Sequence, residues 1–115
     1  KTGALLRACV MSGALIADAN EDLLAALAIY AKGIGLAFQI IDDVLDVTAS
    51  SDVLGKTAGK DLISDKTTYP KLLGLDESIK RANQLVAEAK LVLEPWGSNS
   101  APLMALADYI TNRDR

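Results

Sequence analysis

Residues 23–47, LLAALAIYAKGIGLAFQIIDDVLDV, set the strongest limit on what this chain can fold into. From Leu23 to Ile41 the strongly polar residues are Lys32 and Gln39 alone. Wound as a helix, the stretch is apolar on every side, and such a helix has to be surrounded. Its length would span a bilayer. Lys32 and the sequence Lys32-Gly33-Ile34-Gly35 sit in mid-run, however, and argue against a membrane-spanning segment. The better reading is the central helix of a helical domain. A chain of 115 residues is short for enclosing it, so a longer parent protein is expected.

The remaining sequence is also helical in character. Half of the residues are apolar, mostly Ala and Leu, and five are aromatic (Tyr30, Phe38, Tyr69, Trp96, Tyr109). No alternating β-branched run occurs, so the fold class is all-α. A first helix is expected over 2–17, then a turn, ADANED, with Asp18 or Asn20 as N-cap. The central helix is expected over 21–47, and residues 50–66, with two glycines and many polar groups, read as a loop. Pro70 suits the first turn of a short helix, PKLLGL. Asp76 can cap an amphipathic helix that Pro95 ends, with Leu85, Val86, Ala89, Val92 and Leu93 as its apolar stripe. GSNSAP reads as a turn, and Ser100 can cap a last helix, PLMALADYITNR.

Composition excludes several kinds of chemistry. A net charge of −3 gives no general nucleic-acid footprint. Histidine is absent, which removes the commonest acid–base catalyst and metal ligand. Cys9 is the sole cysteine, so neither an intrachain disulfide nor a cysteine zinc site can form. Its apolar helical surroundings suggest an inert core thiol.

Chemistry is concentrated where the central helix turns acidic. With about 100° per residue and Asp42 at zero, Asp46 falls at about 40°, Gln39 at about 60° and Asp43 at about 100°. The same face, followed toward the N-terminus, carries Leu24, Ala25, Ala28, Ala31, Lys32 and Gly35. Carboxylates at i, i+4 repel by roughly 0.2–0.5 kcal/mol per pair. Placed in the last turns, each would also oppose the helix dipole by roughly 0.3–1 kcal/mol. A hard divalent cation offsets these terms. Mg2+ is typically held by one or two carboxylates together with substrate phosphates. An EF-hand is excluded, because Val44 stands at the third ligand position.

The stretch after the acids is basic, with Lys56, Lys60 and Lys66. Gly55-Lys56-Thr57 is not a nucleotide-binding P-loop, since Ser50 stands where the pattern needs glycine and no strand precedes it. Three lysines after three aspartates suit an anion shared with metal ions. Above a small-residue apolar wall, this polar rim suits a ligand with a charged head and a greasy tail, such as a prenyl diphosphate.

Here the residues resemble a known family. GLAFQIIDDVLD, then GKTAGKD, then DKTTYPKLLGL are similar to the second aspartate-rich region of trans-prenyl diphosphate synthases. Geranylgeranyl diphosphate synthases of cyanobacterial and plastid type are the nearest likeness. KTGALLRACVMSGALI and APLMALADYITNR are also similar to that group. The resemblance implies the isoprenoid synthase fold and a Mg2+-dependent enzyme, working as a homodimer in bacterial cytoplasm or plastid. Its substrates would be isopentenyl diphosphate and an allylic diphosphate.

By the same resemblance, Lys1 and Thr2 would face the allylic diphosphate, and Gln39, after Phe38, would lie near it and the reacting carbons. Asp42, Asp43 and Asp46 match the metal-binding motif, with Asp42 the foremost direct ligand. Lys56 and Lys66 match basic residues that contact the diphosphate, whereas Lys60 has no assigned role. The catalytic set implied is therefore Lys1, Thr2, Gln39 and Lys56, and the substrate-binding set adds Phe38 and Lys66. The family's first aspartate-rich motif, its basic pair and its upstream lysine and arginines do not occur in this chain. Residues 1–115 are thus expected to be a C-terminal portion that is inactive alone. The alternative is a non-catalytic subunit of a heteromeric prenyl synthase, although such partners usually lose the acids that are intact here.

Overall fold

The computed structural model describes residues 2–52 and 69–113. Lys1, Lys56, Lys60 and Lys66, and most of the expected 50–66 loop, lie outside these residues. Among the described residues every regular element is helical. In chain order they are α1 (Thr2–Ile16), α2 (Glu21–Asp52), α3 (Tyr69–Leu73), α4 (Leu75–Leu93), a 3-10 segment (Glu94–Ser100) and α5 (Ala101–Asn112).

The α1–α2 turn is a Schellman closure. Asp18 adopts the left-handed conformation at φ 57°. The Ala19 amide donates to the Ala14 carbonyl and the Asp18 amide to the Leu15 carbonyl. Asn20, rather than Asp18, caps α2, its Oδ1 accepting from the Leu23 amide at 2.9 Å. Glu21 and Asp22 follow in the first turn, where the helix dipole favours acids.

α2 is the hub. Tyr30, Ile34, Ala37 and Ile40 are fully buried, and α1, α4 and α5 all pack against it. Its Glu21–Thr48 stretch is long and apolar enough to cross a membrane, but half of the tested window is buried within the fold. That is how a core helix behaves. Two glycines let neighbours come close from opposite sides. A Cβ on Gly33 would stand 3.3 Å from the Leu85 carbonyl oxygen of α4, and one on Gly35 would stand 3.0 Å from the Cα of Gly3 in α1. The Tyr30 hydroxyl donates to the Leu103 carbonyl at 2.7 Å, tying α2 to α5. Burial raises the pKa of this phenol to about 12.

α4 presents Ala82, Leu85, Val86, Ala89 and Leu93 to the core, the spacing of one helix face. Of the expected stripe, Val92 is half-buried. Asp76 does not cap α4. The helix begins at Leu75, after Gly74, and Asp76 lies in its first turn. Pro95 ends the α-helix as expected, but the chain then continues as 3-10 instead of an open turn. Gly97, at φ 57° and ψ −135°, breaks that segment in a region that suits glycine. Ser100 precedes α5 without capping it, since its hydroxyl donates to the Gly97 carbonyl. In α5, Ala107 and Ile110 are buried, and Asp108 pairs with Lys90 of α4 at 2.8 Å.

Two further expectations fail. α2 runs to Asp52 rather than stopping near Val47, and Thr48 bonds back to the Val44 carbonyl without ending it. Cys9 is exposed, not a core thiol. α1 buries just one residue fully, Ala14, and leaves Leu5, Leu15 and Ile16 open as well.

Candidate functional site

The small-residue wall expected on α2 forms one side of an open groove of about 650 Å³. Ala28, Ile29, Lys32, Gly35, Leu36 and Gln39 supply that side, and Gly3, Ala4 and Arg7 of α1 supply the other. Gly3 and Gly35, at which α1 and α2 approach closely, both line the groove. Two cations, Arg7 and Lys32, stand on its flanks. Ala31, expected on this wall, is fully buried, and Leu24 and Ala25 do not line the groove.

Helical register places the acids relative to this groove. The lining residues occupy a sector from about 20° to about 140° on the wheel defined by Asp42. Continued along α2, that sector carries Gln39, Asp46 and Asp43. Gln39 and Asp46 are exposed, and Asp43 is half-buried. Asp42 stands at the edge of the sector, its side chain 57 % exposed. Because α2 continues to Asp52, Asp42 and Asp43 are well clear of its last turn. The expected dipole penalty therefore does not apply to them, as the effect falls off within that turn.

Asp42 and Asp46 lie one turn apart and face solvent, which suits a hard cation that takes its other oxygens from water and phosphate. A protein-only cage is not formed: among the described residues no three acidic, histidine or cysteine side chains converge. Asp42 and Asp46 thus fit Mg2+ as a partial ligand set.

Phe38 turns away from the groove. Arg113, just after α5, places its guanidinium carbon 4.1 Å from the centre of the Phe38 ring. The same guanidinium donates to the Phe38 carbonyl at 3.1 Å and reaches Asp42 Oδ1 at 3.5 Å. Sequence reasoning missed Arg113. No local pattern marks it, since its partners are more than 70 residues away. Thr2 opens α1 beside Gly3, and so lies at the Gly35 end of the groove. Lys1, Lys56 and Lys66 cannot be placed relative to it, being outside the described residues.

An all-helical frame packed around a buried central helix is consistent with the isoprenoid synthase class. The chain belongs to the polyprenyl synthetase family, whose model matches residues 1–92. It is 57 % identical over 113 residues to a dimethylallyltranstransferase of Fischerella ambigua (strain UTEX 1903), covering 98 % of this chain and 33 % of that protein. It is 53 % identical to a geranylgeranyl diphosphate synthase of Cyanophora paradoxa (99 % of this chain, 38 % of that protein). It is 52 % identical to a chloroplastic geranylgeranyl pyrophosphate synthase of Catharanthus roseus (99 % and 32 %). The chain spans about a third of the length of the curated relatives it matches.

Proposed function

We propose that this chain is the C-terminal portion of a homodimeric, Mg2+-dependent prenyltransferase. The enzyme would condense isopentenyl diphosphate with an allylic diphosphate to give geranylgeranyl diphosphate, in bacterial cytoplasm or plastid. Residues 1–115 alone would not turn over substrate. The observation that carries this reading is the shared sector of α2: Gln39 lines the apolar groove, and Asp43 and Asp46 fall in the same sector of the helix. The relatives' names agree with a geranylgeranyl product.

In this reading Asp42, Asp43 and Asp46 hold Mg2+, which neutralises the charge that grows on the departing diphosphate. Lys1, Thr2, Lys56 and Lys66 bind that diphosphate. Gln39 lies beside the reacting carbons, and the small side chain of Ala28 leaves room for the prenyl tail. A diphosphate oxygen can take the final proton, so the reaction needs no histidine.

The test is Asp42→Ala in the full-length enzyme. Loss of one electrostatic stabiliser typically costs a hundredfold or more, so turnover should fall by at least about 100-fold. A fall within about tenfold would sink the site assignment.

A further inference from the structure

We infer that Arg113 is a positioning residue for Asp42, orienting its carboxylate for a divalent cation. The inference rests on the metal reading of Asp42 given above. It starts from an unusual burial: Arg113 follows the last helix, yet its side chain is only 8 % exposed. Its Nε is buried without a hydrogen-bond partner. Leaving a buried donor unpaired carries a desolvation cost, so something else must fix the guanidinium where it is.

Phe38 does this twice, through its ring and through its carbonyl oxygen. The guanidinium is therefore the fixed partner, and the exposed Asp42 carboxylate is the movable one. Asp42 follows Phe38 by one helical turn, so an arginine held at that carbonyl is necessarily beside the carboxylate. The contact, at 3.5 Å, is with Oδ1. Oδ2 is left to the cation. Carboxylate ligands are commonly oriented by such hydrogen bonds, and removing the partner typically costs 10–100-fold in metal affinity.

Charge alone predicts the opposite sign. A cation removed from beside Asp42 would let Mg2+ bind more tightly. The direction of the effect therefore decides between orientation and simple charge balance.

The test is Mn2+ binding, with the metal alone, followed by electron paramagnetic resonance on the full-length protein. Arg113→Ala should weaken binding by about 10–100-fold. Arg113→Lys should stay weak, because an ammonium lacks the planar guanidinium that stacks on the Phe38 ring and fixes the donor beside the carboxylate. Ser78→Ala removes a hydrogen bond to the Gly74 carbonyl, not one that docks α5, and should leave Mn2+ affinity unchanged. Unchanged or tighter binding in Arg113→Ala overturns the inference, as does an equal loss in Ser78→Ala. A different result, wild-type Mn2+ binding that Asp42→Ala leaves intact, would instead overturn the metal reading itself.

Discussion

Adding one methyl group at Gly35 tests the packing that shapes the groove. The new Cβ would stand 3.0 Å from Gly3 Cα, with the Gly3 carbonyl oxygen and carbon at 3.8 and 3.9 Å. Carbon atoms are comfortable at about 3.5–4.0 Å, so α1 must move off α2 by roughly half an ångström or more. The obstacle is backbone, which has no rotamer to change. Overpacking of this kind costs about 1–3 kcal/mol. Alanine in mid-helix gains back about 0.8–1 kcal/mol over glycine. Gly13, also in α1, is the reference, because a Cβ there meets nothing within 4 Å. Gly13→Ala should therefore stabilise by up to about 1 kcal/mol, and Gly35→Ala should fall about 1–3 kcal/mol below it. Urea unfolding of both variants in the full-length protein, with unchanged m values, gives the difference directly. Gly35→Ala should also lower kcat/KM, since α1 carries Thr2 with it. Equal stabilisation by the two substitutions would refute the close approach.

Further expectations concern the turn and the buried phenol. Asp18→Asn keeps a residue that tolerates positive φ and removes an acid from a helix C-terminus. It should stabilise by about 0.3–1 kcal/mol, less at high salt, as read by urea unfolding. The folded chain holds the Tyr30 proton more tightly than the unfolded chain does, with a pKa raised from 10.0 to about 12. Its contribution is complete below pH 10 and is lost as pH rises through 12. The loss is on the order of 2 kcal/mol, and Tyr30→Phe should escape it when unfolding is compared at pH 9 and 11.5.

The burial of α2 was legible because no face of it could be left in water, and the stripe of α4 because its spacing is that of a helix. Part of the groove wall followed from the same wheel, which put Ala28, Lys32, Gly35 and Gln39 in one sector but also counted Leu24, Ala25 and Ala31 and left out Ile29. Three features were not legible. α1 is apolar without a clear stripe, so its sequence could not say that Cys9 faces out while Ala14 faces in. The end of α2 was misjudged because Ser and Asp have weak helix propensity, which the structure overrides through Asp52. Arg113 was invisible because its meaning comes from Phe38 and Asp42, brought to it by tertiary packing.

The seven-residue 3-10 connector has a consequence for how this family can vary. It sets the rotational phase of α5, and hence where the final side chains arrive. One inserted residue between Leu93 and Ala101 would turn α5 by about 100°. Ala107 and Ile110 would swing out of the core, and Arg113 would leave the aromatic ring beneath it. Length changes in this joint should be rarer than substitutions within it, even though it does not line the groove.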